Sequence, residues 1–203
     1  LMELGITAIS LSYAETSISN NGNEIRQLGS FVMNGETHDI ADVYFAVDSA
    51  NSSYTGSYSL DPFAMLLPNQ RGYGEVADLY IAMSMDNDAE DPDSLISLVQ
   101  ALSEHTLSEF LTSDQTILDE VKTIMFRWAG VDNVDPDSRQ SFGHTWIDAR
   151  ELSFLEKLAG QDFIQRGLYS NPQGPEAGGN LQEGFYEAQH HIYASLLSQV
   201  IGK

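Results

Sequence analysis

Residues 49–62 read Ser49-Ala-Asn-Ser-Ser-Tyr-Thr-Gly-Ser-Tyr-Ser-Leu-Asp-Pro62 and separate two parts of the chain that have different hydrophobic periods. Small polar residues dominate this stretch, which is typical of a loop or linker. Before it, apolar residues tend to alternate with polar or smaller ones; after it, they recur at every third or fourth position. The first period indicates β-strands and the second indicates amphipathic helices. The sequence therefore predicts an α+β fold with the sheet at the N-terminus.

The N-terminal part predicts three strands. They cover residues 7–13, 24–33 and 41–47, and turn-forming Asn20-Asn-Gly-Asn23 and Asn34-Gly35 join them. Consecutive strands with short polar turns favour an antiparallel meander with one face in water. We expect this small meander to pack with a helical lobe.

The helical lobe is predicted to contain about five helices. Their inward-facing residues lie within 76–83, 95–110, 117–128, 152–158 and 181–200. We treat residues 1–203 as a single ligand-binding module, with a β part at 1–62 and a helical part at 63–203. Its first residues carry no targeting pattern, so we expect it to be cut from a larger protein.

Charge and composition exclude several classes of function. The chain has 30 Asp and Glu against 9 Lys and Arg, a net charge of -21. Such a surface cannot displace the counterions of nucleic acid and is repelled by anionic lipid. There is no Cys, which excludes disulfides and Cys-ligated metals. No apolar run is long enough for membrane insertion.

An acidic loop follows the third predicted helix. In Trp128-Ala-Gly-Val-Asp-Asn-Val-Asp-Pro-Asp-Ser-Arg139 it carries Asp132, Asp135 and Asp137, and Asp148 comes soon after. Calcium takes about six to eight oxygen ligands, so we predict these four carboxylates as Ca²⁺ ligands. The alternative is a solvated loop, in which Asp148 and Glu151 form a capping box for the next helix.

A second acidic stretch, Asp86-Asn-Asp-Ala-Glu-Asp-Pro-Asp93, joins two predicted helices. Asp86 and Asp88 are candidate ligands of a second calcium ion. The competing interpretation is an exposed loop whose last carboxylates favour the N-terminus of the following helix.

The segment before the first predicted helix contains one basic residue, Arg71, in Leu67-Pro-Asn-Gln-Arg-Gly-Tyr-Gly74. Arg71 can hold a carboxylate with two hydrogen bonds, while Gly72 and Gly74 would let a ligand approach the backbone. Tyr73 would form an aromatic wall. The alternative is an Arg71 that pairs with a nearby Asp.

The chain offers no catalytic residue. It has no nucleophile elbow, no phosphate loop and no His-x-x-x-His pair. We predict a protein that is not an enzyme; a hydrolase built on paired carboxylates is the least favoured hypothesis.

Six motifs together resemble a known family. They look like the non-repetitive domain of giant hemolysin-type (RTX) calcium-binding proteins and surface adhesins of Gram-negative bacteria. The motifs are Ala41-Asp-Val-Tyr-Phe45, Leu67–Gly74, Asp78-Leu-Tyr-Ile-Ala-Met83, Phe126-Arg-Trp-Ala-Gly-Val-Asp132, Asp135-Pro-Asp-Ser-Arg139 and Ile147-Asp-Ala-Arg150. The Gly-Gly-x-Gly-x-Asp calcium repeat of these proteins is absent, so the resemblance implies a neighbouring module. The chain is also similar to the peptide-binding modules of such adhesins.

The resemblance implies a calcium-dependent ligand-binding domain of a bacterial surface adhesin. Such a domain is secreted to the cell surface and recognises a peptide or protein C-terminus on a target cell, which mediates attachment. Calcium would help to hold the terminal carboxylate, and the remaining partners would be flanking domains of the same polypeptide. The alternative is a spacer domain of an RTX protein that calcium rigidifies and that has no ligand of its own.

Overall fold

The computed structural model describes residues 4–46, 51–88, 90–112, 114–140, 143–163 and 174–201. They form a four-stranded antiparallel sheet followed by six α-helices, which confirms the predicted α+β class. The chain divides into two compact units, Leu1–Asp48 and Ser49–Lys203. The polar segment 49–62 thus belongs to the helical unit.

The sheet is built around one long central strand. The strands are β1 (Ile6–Ile9), β2 (Ala14–Asn20), β3 (Asn23–Met33) and β4 (Glu36–Tyr44). β4 pairs along one edge of β3, while β2 and β1 share the other edge. Both predicted turns are confirmed: Asn21 and Gly22 have φ of 51° and 83°, and Asn34 and Gly35 have 52° and 84°. Positive φ at both central residues is the type I′ geometry that suits a hairpin.

The first predicted strand was wrong, because it is interrupted. Ile9 faces Phe31 and Ala14 faces Leu28, so residues 10–13 lie opposite only residues 29 and 30. The surplus residues cannot continue the ladder and must leave the sheet. The Ser10 and Ser12 side chains bond to each other at 3.0 Å across this bend. The result is two short strands, β1 and β2, instead of one, and the sheet is not a simple meander.

The sheet unit has no buried core of its own among residues 4–46, where every residue keeps at least partial exposure. The alternation of side chains places Ile18, Ile25 and Val43 in one row across β2, β3 and β4. Ile18 and Val43 are nevertheless exposed. Val47, the last residue of the predicted third strand, lies outside the described residues.

The helical unit holds the hydrophobic core. Its helices are α1 (Leu79–Met85), α2 (Leu95–Ser103), α3 (Leu107–Thr112), α4 (Asp114–Trp128), α5 (Ala149–Ala159) and α6 (Pro175–Ile201). The predicted second helix is divided into α2 and α3. Fully buried side chains from α1, α2, α4, α5 and α6 form one cluster that includes Leu79, Leu102, Ile124, Phe154, Phe185 and Leu196. None of the described helices is both long and apolar enough to cross a bilayer.

Polar side chains mark where two of these helices begin. Ser94 precedes α2 and accepts a hydrogen bond from the Ser97 amide, while Asp148 precedes α5 and accepts one from the Arg150 amide. The predicted cap at Asp148 is therefore confirmed. Glu151, its expected partner in a capping box, is buried and accepts a hydrogen bond of 2.6 Å from Lys122 Nζ instead.

Candidate functional site

A cavity of about 530 Å³ lies within the helical unit. The polar segment after residue 50 supplies part of its wall, and the loop before α1 together with the first residues of α1 supplies the rest. Its lining residues include Tyr54, Tyr58, Arg71, Gly72, Gly74, Glu75, Asp78 and Tyr80. Three of the four residues predicted for ligand binding, Arg71, Gly72 and Gly74, therefore line one cavity. Tyr73 is not among its lining residues.

Arg71 differs from the other described basic residues, because no described carboxylate pairs with it. Of the nine basic residues, Arg166 and Lys203 lie outside the described part of the chain. Six of the other seven have a carboxylate oxygen within 4.0 Å. Arg71 is exposed and has no such partner among the described residues. Since none of the described carboxylates occupies it, the guanidinium is a candidate to hold an anion from outside the chain.

Three tyrosines form the aromatic part of the cavity. The rings of Tyr54 and Tyr58 meet edge to face, with centroids 5.6 Å apart. Tyr80 is partly buried, and burial together with the nearby Asp78 carboxylate raises its pKa above the usual value of 10.0. Tyr80 therefore stays protonated at neutral pH and adds no charge to the cavity.

The loop that carries Arg71 is held by the protein itself. The Gly72 amide donates to Asp78 Oδ1 at 2.7 Å, and the Glu75 amide donates to the Lys157 carbonyl at 2.8 Å. A Cβ at Gly72 would lie 2.1 Å from the Val76 carbonyl oxygen. A Cβ at Gly74, where φ is +59°, would lie 2.4 Å from the Lys157 oxygen. Both glycines are thus needed for packing within the chain, which is a different reason from the predicted approach of a ligand.

Arg127 brings together two of the predicted calcium ligands. Its Nε donates to Asp86 Oδ2 at 2.6 Å and its Nη1 donates to Asp132 Oδ2 at 3.2 Å. The Leu95 amide also donates to Asp86 Oδ2, at 3.0 Å. These bonds, that of Arg127 first, lower the pKa of Asp86 although partial burial opposes the shift. A guanidinium therefore occupies the space between the two carboxylates.

The other predicted calcium ligands also bond to the protein. Asp88 Oδ1 accepts from the Glu90 amide, and Asp135 Oδ1 accepts from the Asp137 amide. Asp137 accepts from the Thr145 hydroxyl. Asp148 pairs with Arg150 through a shortest bond of 2.6 Å; burial raises the pKa of Asp148, but these bonds lower it by more.

The six aspartates do not assemble into one site. Within the described ranges, no three His, Cys, Asp or Glu side chains are grouped so that they could hold a metal ion. Arg127 donates to both Asp86 and Asp132, and the Asp137 amide donates to the Asp135 side chain. Calcium binding stays a prediction that rests on charge and on the motifs.

Sequence reasoning missed the tyrosines and the acidic residues of the cavity. It treated 49–62 only as a loop or linker, although Tyr54 and Tyr58 stand out there among small polar residues. Two exposed aromatic residues in such a segment were the available signal. Asp78 and Tyr80 lie in one of the motifs that carry the resemblance, but nothing in the sequence assigned them or Glu75 to the ligand site.

No family model, curated protein or solved structure matches this chain. The likeness to RTX adhesin domains accordingly rests on the sequence motifs alone.

Proposed function

We propose that this chain is a ligand-binding module of a bacterial surface adhesin and that it holds the carboxylate of a peptide or protein C-terminus at Arg71. The observation that carries the proposal is Arg71, which lines a cavity and has no acidic partner among the described residues. The adhesin context and the location at the cell surface are supported by the motif resemblance.

The charge of the chain explains why one arginine without an acidic partner among the described residues points to a binding site for an anion. The chain has a net charge of -21, so an anionic ligand is repelled almost everywhere on its surface. A carboxylate can bind where a guanidinium offers two parallel N–H donors. The cavity of about 530 Å³ is also within the range of roughly 300–1,000 Å³ that small-ligand sites occupy.

Calcium enters the proposal as a stabilising ion. Asp88, Asp135 and Asp137 have no Lys or Arg within 4.0 Å among the described residues, and none of them lines the cavity. The residues present do not fit a ready-made calcium site, because the arginines already bridge or pair with Asp86, Asp132 and Asp148. Ligand binding at Arg71, as proposed, therefore does not involve calcium. Its expected effect is to reduce repulsion between carboxylates, which equilibrium dialysis and thermal unfolding with and without a chelator would measure.

A peptide array tests the site itself. Peptides with a free C-terminal carboxylate should bind, and the same peptides with a C-terminal amide should bind about 10- to 100-fold more weakly, since charged hydrogen bonds are lost. Arg71→Gln should remove the difference between acid and amide. Arg26→Gln is the matched control, because Arg26 is exposed and already pairs with Glu24. Equal binding of acids and amides by the unaltered protein contradicts the proposal.

A spacer without a ligand is the second candidate. It is favoured by the structural duties of the motif residues: Gly72, Gly74 and Asp78 are all explained by contacts within the chain. A rise of the melting temperature in calcium, together with an array that yields no binder, would favour the spacer over the binding module.

A further inference from the structure

The cavity around Arg71 also contains two carboxylates. Glu75 and Asp78 line it together with Arg71, so its wall carries two negative charges against one positive charge. A ligand that offers only a carboxylate would satisfy Arg71 but would lie close to these two anions. The lining therefore favours a ligand that has a positive group as well.

Among the described residues, no buried cation neutralises either carboxylate. Asp78 accepts the Gly72 amide, yet no Lys or Arg among the described residues lies within 4.0 Å of it. Glu75 pairs with Lys157 at 3.2 Å, but the two side chains are 60% and 40% exposed. Exposed pairs of this kind contribute little to stability, so Glu75 can exchange Lys157 for a ligand cation at little cost.

The tyrosines provide a second reason to expect a cation. The negative face of a tyrosine ring attracts ammonium and guanidinium groups. Tyr54, Tyr58 and Tyr80 line the same cavity as Glu75 and Asp78. Aromatic rings beside carboxylates are the combination that binds the head of a lysine or arginine side chain.

We infer that the C-terminus bound at Arg71 carries a lysine or arginine near its last residue, and that this side chain lies against Asp78, Glu75 and the tyrosines. The inference rests on the proposed function, since it concerns the ligand of the same site. The volume of about 530 Å³ exceeds what a carboxylate alone requires, so neighbouring residues of the ligand enter the cavity too. The net charge of -21 further favours basic ligands during encounter.

Fluorescence anisotropy with the full chain tests the inference. The probes are labelled peptides that end in a free carboxylate and differ at one position near it, where they carry lysine, norleucine or glutamate. We expect lysine to bind about tenfold more tightly than norleucine, and glutamate to bind most weakly. Asp78→Asn keeps an oxygen for the Gly72 amide and should reduce the preference for lysine. Glu75→Gln gives a second, independent variant.

Control variants separate a local effect from a general one. Asp93→Asn removes the same charge at an exposed position that does not line the cavity, and it should leave the lysine preference unchanged. An equal loss of preference in Asp93→Asn would mean that overall charge causes the effect, and would overturn the inference. Arg71→Gln should abolish discrimination between acid and amide while the preference for lysine persists.

The failures of the two proposals are distinguishable. If lysine and norleucine peptides bind equally while amidation still weakens binding, the inference fails and the proposed function stands. If amidation has no effect, the proposed function fails.

Discussion

Arg127 joins the two acidic stretches of the chain through its side chain. It lies in the last turn of α4 and binds Asp86, at the end of α1, and Asp132, in the loop after α4. All three side chains are about 70% buried, since their exposed fractions are 29%, 30% and 28%. The arginine thus neutralises two carboxylates that the sequence assigned to two different calcium ions.

Loss of the arginine should be costly. We expect Arg127→Gln to lower the free energy of unfolding by about 2 kcal/mol, because two partly buried carboxylates lose their counter-charge. Urea unfolding followed by circular dichroism measures this. Arg26→Gln, which breaks an exposed pair, should cost less than about 1 kcal/mol. Similar losses in both variants would show that the Arg127 bridge has no special weight.

The same bridge predicts a dependence on pH. The pKa of Asp86 is lowered in the folded state, so its ionised form stabilises the fold at pH values above its ordinary pKa of 3.8. That stability is lost as the pH falls through the lower folded-state pKa. Asp86→Asn should therefore flatten the decline of unfolding free energy between about pH 5 and about pH 3. An unchanged slope in urea titrations at these pH values would contradict the assignment.

The loop before α1 contacts the C-terminal end of α5 through backbone atoms. Gly74 touches Gly160, the left-handed residue that ends α5, and the Glu75 amide bonds to the Lys157 carbonyl. This contact fixes the loop that carries Arg71. The end of helix α5 thereby positions the loop on which the exposed Arg71 lies.

Gly74→Ala tests this contact. We expect a loss of about 3 kcal/mol in unfolding free energy, because the added Cβ combines a positive φ with a clash against the Lys157 and Leu158 oxygens. Gly130→Ala is the matched control: its φ is +66°, but nothing lies within 4 Å of the added Cβ. It should cost only the strain of the left-handed backbone, about 1 kcal/mol. Chemical denaturation of both variants gives the comparison, and equal losses would refute the role of the contact.

The strands show how much the alternation of apolar and polar residues can predict. The two Asn-Gly turns were predictable, because a type I′ turn has positive φ at both central residues and Asn-Gly is the pair that most readily adopts it. The break between β1 and β2 was not predictable from alternation, since Leu11 continues the apolar pattern although it is 95% exposed. Pairing with β3 determined the break, and pairing is a long-range property.

At the scale of the whole molecule, the core belongs to one of the two units. The fully buried hydrophobic residues described extend from Ala64 to Leu196, whereas residues 4–46 contribute none. Burial of apolar surface is the main source of folding stability. The two units should consequently differ in their ability to fold alone.

Separate expression tests this difference. Residues 49–203 should unfold cooperatively in urea with most of the stability of the full chain, since they retain the whole described core. Residues 1–48 alone should show a weak and gradual transition, because a small sheet without a buried face is marginal. A cooperative transition of the isolated 1–48 segment would contradict this.

The division into strands and helices, both hairpin turns, the cap at Asp148 and the excess of negative charge could all be predicted from the sequence alone. Each of these follows from local propensity or from composition, which act over a few residues or over the chain as a whole. The tertiary structure was needed to show which carboxylates Arg127 binds and why Gly72 and Gly74 leave no room for a Cβ. It also showed that three tyrosines, Tyr54, Tyr58 and Tyr80, line the same cavity as Arg71. Those relations join residues far apart in the chain, and hydrophobic periodicity carries no information about which distant side chains meet.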